Sequence, residues 1–212
     1  VSHDPEEIYR NTIQAVKDVI LQSGVDKKDI AAFGITNQRE TTLAWDRETK
    51  KAAGEAIVWQ CGRAAALTDL FENKELADKV NDSWLVFRLN EGHIFRTDLS
   101  NASRTQLFDI RNLCWDEELC GAFKVPVSAL AEPCDSNGDF GETTLEGFFE
   151  SPVPIRAVMG DSHAALYGHG CVNKGMAKAT YGTGSSVMMN IGPEFVQSAS
   201  GVVTSLAWSI NG

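Results

Sequence analysis

The chain is short of positive charge, of paired cysteines and of long apolar runs, and each shortage removes a class of function. Nineteen Lys and Arg stand against twenty-nine Asp and Glu, for a net charge of -10 and a pI of about 4.8. A nucleic-acid binder needs basic side chains to neutralise phosphates, and an anionic membrane surface would repel such a chain. Five cysteines, Cys61, Cys114, Cys120, Cys134 and Cys171, are widely spaced with no CxxC pair, and the four histidines are scattered, which speaks against a zinc site. There is no secretory signal and no apolar stretch of membrane-spanning length, so a cytoplasmic chain with free thiols is expected. No G-x-x-x-x-G-K-[ST] and no helix-opening G-x-G-x-x-G is present, excluding P-loop and Rossmann nucleotide sites; G-x-S-x-G is absent too. Nor is there a low-complexity tract or a solenoid repeat. Acidity does not exclude a nucleotide, because backbone amides and Mg²⁺ can hold phosphates locally.

What is present is the pattern of a mixed α/β domain. At 212 residues and 43% hydrophobic, the chain suits one large domain or two small ones. Asp4-Pro5-Glu6-Glu7 predicts a helix start, the stripe Ile8, Ile13, Val16, Val19, Ile20 its buried face, and Gly24 its end. Buried strands are expected over 29–36, 56–59 and 155–160, further strands over 41–45, 176–181, 186–191 and 202–208, and helices over 63–80, 82–89 (amphipathic), 115–123 and 164–168. Residues 97–104 and 134–141 read as loops, the first polar. The tryptophans at 59, 84, 115 and 208 read as core aromatics.

Three strand ends carry candidate chemistry. Ile155 to Met159 is an apolar run broken by Gly160, which sets Asp161 at a strand's C-terminal mouth, where open α/β sheets bind ligands. Position alone leaves Asp161 open between catalytic carboxylate and helix N-cap. Gln38-Arg39-Glu40 follows the 29–36 strand; an Arg donor beside a Glu acceptor can bind vicinal hydroxyls, and the alternative is a salt-bridged surface turn. Tyr181-Gly182-Thr183-Gly184 offers amides and a hydroxyl to a phosphate, or makes a plain hairpin turn. Gly160-Asp161-Ser162 is also similar to the nucleophile block of one esterase class, but no Asp-x-x-His follows position 162 to supply a base.

In order along the chain, Gly34 to Thr42, Ala56 to Gln60, Asp98 to Arg104 with Leu107 to Ile110, Gly160-Asp161-x-x-Ala164-Ala165-Leu166, and Gly175 to Lys178 leading into Tyr181 to Gly184 closely resemble the FGGY family of carbohydrate kinases, in its glycerol kinase-like branch. The resemblance implies a ribonuclease H-like (actin-like ATPase) fold with a mixed sheet flanked by helices. Residues 1–170 would be the polyol- or sugar-binding N-terminal domain, and 171–212 the beginning of the ATP-binding C-terminal domain. It implies phosphoryl transfer from ATP, with Mg²⁺, to a hydroxyl of a small polyol or sugar, without nucleic-acid or membrane partners. By motif, Asp161 matches the catalytic base, Arg39 and Glu40 the polyol-binding pair with Gln38 and Ser162 beside it, and Gly182, Thr183 and Gly184 the ATP phosphate site. The family's glycine-rich hairpin before Val1, several dozen residues between Val80 and Asn81, and most of the C-terminal domain are not in these 212 residues, so an internal piece is expected. Ser162 and His163 replace two glutamines, which opens the acceptor between glycerol and a ketose such as xylulose. A non-catalytic binding fragment of the same fold is the remaining alternative, and an uncovered half-cleft would favour self-association into a homo-oligomer.

Overall fold

The computed structural model describes residues 2–58, 82–181 and 185–212. In chain order its strands are β1 (Ser2–His3), β2 (Phe33–Asn37), β3 (Trp45–Asp46), β4 (Lys51–Ala52), β5 (Ala56–Ile57), β6 (Arg96–Asp98), β7 (Phe108–Asp109), β8 (Cys114–Trp115), β9 (Glu132–Cys134), β10 (Glu142–Thr143), β11 (Val153–Gly160), β12 (Ala177–Thr180) and β13 (Ser186–Met189). Its helices are α1 (Pro5–Ser23), α2 (Asp82–Leu89), α3 (Leu99–Ala102), α4 (Glu117–Ala122) and α5 (Asp161–Gly168).

The sheet is mixed. β2 runs parallel to β11, with Phe33 opposite Ile155 and Asn37 opposite Gly160, and β10 lies antiparallel on the other side of β11. β6 runs parallel to β9, and the chain just after β9 reaches β11 through a 2.9 Å bond from Val158 N to the Ser136 carbonyl. α1 begins as its sequence dictates: Asp4 accepts from Glu6 N, Pro5 occupies the first turn, and Gly24 at φ 69° closes the end. Its buried residues Tyr9, Ile13 and Ile20 join Leu85, Val86, Leu89, Phe140, Val153, Ile155 and Val158 in the main core.

The structure corrects several expectations. The strand expected from Asp29 starts only at Phe33, because Asp26 accepts from Lys28 N and closes a 3₁₀ turn over Lys27–Asp29. β2 is half-buried, alternating partly buried and exposed residues until Asn37. The strand expected over 41–45 is reduced to a bridge between Thr42 and Ile57 and the β3–β4 hairpin. α2 is buried rather than amphipathic: Leu85, Val86 and Leu89 enter the main core, while Trp84 packs with Leu43 and Ala56 in a second one. Its one described charge, Arg88, pairs with Glu6 and lies over Tyr9 and Trp84 at 4.2 and 4.9 Å from the ring centroids. Residues 97–104 form the end of β6 and all of α3, mostly buried, instead of a polar loop. No strand forms over 202–208, which joins none of the sheets among the described residues.

The 63–80 helix, Trp59, Gln60, Cys61 and the Gly182–Gly184 turn lie outside the described residues. Among the described residues Cys114, Cys134 and Cys171 are free thiols, and burial pushes the pKa of Cys134 up to about 12.

Candidate active site at the joint mouth of two parallel strands

Because β2 and β11 run parallel and in register, their C-terminal ends open at one mouth. The polar residues that follow each strand meet there. Arg39 Nε donates to Asp161 Oδ1 at 2.9 Å, and Arg39 Nη2 donates to Ser162 Oγ at 3.0 Å. Gly160 makes this possible: a Cβ on it would stand 2.4 Å from Arg39 Cδ and 2.7 Å from Cγ, so the arginine stem lies flat across the strand end. Gly160, not Asp161, occupies the N-cap of α5, and no side-chain cap bond is made there. The alternative role of Asp161 as a helix cap is therefore not what the structure shows. Its carboxylate is half exposed, with Oδ1 also accepting from Ser162 N at 2.6 Å. Among the described residues Oδ2 accepts no hydrogen bond.

Glu40 lies on the same exit at φ 63°, a left-handed conformation for a non-glycine residue. Arg104, at the end of the α3 turn, donates Nε to Glu40 Oε1 at 2.7 Å and places Nη2 on the same oxygen. Gln38 sits between the two pairs, 3.4 Å from Thr41 Oγ1. The structure thus brings Gln38, Arg39, Glu40, Asp161 and Ser162 together. The phosphate candidates Gly182, Thr183 and Gly184 lie outside the described residues; the strands flanking them, β12 and β13, pair with Thr180 opposite Ser186.

Beneath the mouth lies a buried scaffold where the sequence pattern predicts a polar loop. Asp98, fully buried, accepts from Ser100 N at 3.1 Å, Asn101 N at 3.0 Å, Asn101 Nδ2 at 2.7 Å and Ser136 Oγ at 2.8 Å. Burial raises its pKa, and these hydrogen bonds work in the opposite direction. Asn101 and Asn37 exchange amide bonds at 3.0 Å each, and Ser100 Oγ accepts from Gly160 N at 3.0 Å. Asp98 and the residues it holds therefore tie the ends of β2 and β11 together. The Asp-x-Ser-Asn order, a capping pattern, was the one available signal. Asp98→Ala would leave four donors buried without an acceptor; at about 1 kcal/mol or more each, a loss on the order of 4 kcal/mol is expected. Thermal unfolding should show Tm lower by about 10 °C; a drop of under about 3 °C would contradict this role for the carboxylate.

His163, on α5, is wholly buried, with Nε2 3.0 Å from Ser205 Oγ and no described partner for Nδ1. Burial, followed by the charges of Arg39, Arg104 and Lys178, pulls its pKa down to about 3, so the ring is neutral at working pH. Two cavities, of about 410 Å³ beside Trp45, Phe95 and Trp115 and about 660 Å³ beside Leu99, Phe195 and Trp208, lie away from the mouth; neither is lined by Arg39, Glu40 or Asp161.

The mixed sheet, with a carboxylate and an Arg–Glu exit at the ends of its parallel strands, places the chain in the ribonuclease H-like (actin-like ATPase) class of folds. The model of the FGGY family of carbohydrate kinases, N-terminal domain, matches residues 1–83 and 79–168, and the chain belongs to that family. It is 38% identical over 252 aligned positions to the glycerol kinase of Alkaliphilus oremlandii, covering 100% of this chain and 50% of that protein. It is 40% identical over 250 positions to glycerol kinase 1 of Thermotoga maritima, covering 99% and 51%. The crystal structure of Plasmodium falciparum glycerol kinase with ADP superposes with a TM-score of 0.87 at 29% identity, over 98% of this chain and 50% of that one. The chain thus spans about half the length of the curated relatives it matches, and the resemblance read from its motifs is borne out.

Proposed function

We propose that the chain is the polyol-binding lobe, with the start of the ATP-binding lobe, of an ATP-dependent polyol kinase whose acceptor is glycerol. The observation that carries this is the Arg39–Asp161 contact at the shared mouth of β2 and β11, with Glu40 held beside it by Arg104. Arg39 and Glu40 supply donor and acceptor to neighbouring hydroxyls of the polyol, with Gln38 and Ser162 flanking them. Asp161 takes the proton of the attacking hydroxyl on its open Oδ2. Gly182, Thr183 and Gly184 would hold the ATP phosphates, a reading that the β12–β13 pairing on either side of them supports. Among the described residues no cluster of three or more His, Cys, Asp or Glu could hold a metal ion. Mg²⁺ carried on the nucleotide phosphates would offset the charge of the transferring group.

Glycerol is supported over a ketose by the glycerol kinases among the relatives at 38–40% identity. The lobe boundary near 170 is supported by the family model's end at 168, and a segment missing at 80/81 by its break at 79–83 and by alignments of 252 positions for 212 residues. The rival reading, a binding fragment without turnover, has in its favour the exposed apolar residues Tyr181, Val187, Val202 and Val203, which also favour self-association. Among the described residues no helix is long and apolar enough to cross a membrane, which is compatible with a cytoplasmic site of action.

A panel of glycerol, xylulose, ribulose, gluconate and erythritol with MgATP, run on the full-length protein, should give glycerol the highest kcat/KM by at least tenfold. A ketopentose in first place would overturn the glycerol assignment, and no turnover with any acceptor would favour the binding fragment.

A further inference from the structure

Lys178 is a buried cation with no carboxylate paired to it among the described residues. It is 5% exposed, on β12, which packs against α5. Among the described residues no carboxylate lies within ion-pair distance of its ammonium, which donates at 2.8 Å to the hydroxyl of Thr180. Thr180, two residues on along the same face of β12, is exposed, so the stem is covered while the charged head reaches toward the C-terminal end of the strand. Burial lowers its pKa, Arg39 lowers it further, and Asp161 acts in the opposite direction, which sets the head within electrostatic reach of both. The same charge bears on His163, one turn-side neighbour of Asp161 on α5.

Burying an ammonium against a neutral hydroxyl costs stability, and replacing it with an apolar chain would remove that cost. A fold keeps such a group where an anion meets it. Arg39 already has a partner in Asp161, whereas the charge of Lys178 has none among the described residues. The anion that would complete the site is small, since the head stands near the end of a strand that packs against the helix opened by Asp161.

We propose that Lys178 is a catalytic residue of this site, its ammonium binding the phosphoryl group as it passes from the nucleoside triphosphate to the polyol oxygen. The proposal rests on the polyol-kinase reading above. In that step the polyol oxygen forms the new O–P bond and its proton goes to Asp161. The bond from phosphorus to the bridging oxygen breaks, its electron pair leaving on the nucleoside diphosphate. Nothing is oxidised or reduced. Lys178 keeps its proton and stabilises the charge on the equatorial oxygens, a contribution typically of about a hundredfold or more in rate.

Lys178→Met and Lys178→Arg in the full-length protein test this, each measured for kcat, polyol KM, Tm and affinity for inorganic phosphate by calorimetry. Lys178→Met is expected to lose about a hundredfold in kcat with polyol KM within about threefold, to bind phosphate at least tenfold more weakly, and to unfold at the same Tm or higher. Lys178→Arg should recover about tenfold of the lost rate. A Lys178→Met protein with kcat within about threefold of the parent, or one whose loss of rate comes with a lower Tm and unchanged phosphate affinity, overturns the proposal. If Lys178→Met does not fold, the same criteria apply to Lys178→Arg against the parent, with rate and phosphate affinity both unchanged counting as refutation of the anion site. A parent that phosphorylates no polyol while Lys178→Met still loses phosphate affinity would end the kinase reading and leave the anion site standing. An active parent with an equally active Lys178→Met would do the reverse.

Discussion

Asp161→Asn in the full-length protein is expected to lose on the order of a thousandfold in kcat while polyol affinity changes by about threefold or less. The asparagine keeps the shape of the side chain, and its oxygen can still accept from Arg39 Nε and Ser162 N, the two bonds that hold Oδ1. What it loses is the proton acceptor. Asp161 Oδ2 has no described partner, and the side chain is half exposed at the mouth, so this oxygen is the one open to a substrate hydroxyl. General-base catalysis typically contributes about a hundred- to ten-thousandfold. Phosphoryl transfer adds a requirement for placement, which the Arg39 contact supplies by fixing the carboxylate before substrate arrives. Steady-state rates with glycerol and MgATP, together with calorimetric glycerol binding, separate the two effects. Turnover within about tenfold of the parent would remove Asp161 from the chemistry. Lost turnover accompanied by lost binding would make it a structural or substrate-binding residue.

How much of this site could be read in the sequence depends on how far apart its partners lie. Gly160-Asp161 was legible because an apolar run ends on a glycine, and Arg39-Glu40 because a polar group follows a strand; both are local patterns. That the two meet follows from β2 pairing with β11 across more than a hundred residues, which no periodicity encodes. The grip of Arg104 on Glu40 spans 64 residues, and so does the Asn37–Asn101 exchange. Asp98 misled for a different reason. A stretch of Asp, Ser, Asn and Arg suggests solvent, yet here each polar group has a partner, and a satisfied polar network can be buried. α2 failed in the opposite sense: eight residues with one terminal Arg look amphipathic, but the helix is pressed between two cores and Arg88 escapes along Tyr9 and Trp84. The apolar 202–208 segment had strand propensity but joins none of the sheets among the described residues, and propensity alone does not make a sheet.

Gly160→Ala is expected to raise polyol KM by about a hundredfold while leaving the fold intact. The backbone at Gly160 has φ -59° and ψ 143°, values any residue adopts, so alanine introduces no backbone strain. The conflict is with one side chain. The new Cβ would stand 2.4 Å from Arg39 Cδ and 2.7 Å from Cγ, well inside contact distance, and 3.1 Å from His163 Nδ1. The imidazole is wholly buried and cannot retreat, whereas Arg39 keeps about a fifth of its side chain in solvent and can swing outward. Arg39 is therefore the group that yields, and its bonds to Asp161 and Ser162 go with it. Charge-assisted bonds of this kind contribute about 1.5–3 kcal/mol each, so the loss of one corresponds to roughly ten- to a hundred-and-fiftyfold. If displacement of Arg39 is the whole effect, Gly160→Ala and Arg39→Ala should be strongly non-additive, the double variant no worse than the Arg39→Ala single by more than about threefold. Additive losses, or a Tm fall of more than about 5 °C in Gly160→Ala, would mean that the glycine serves the sheet and not the arginine.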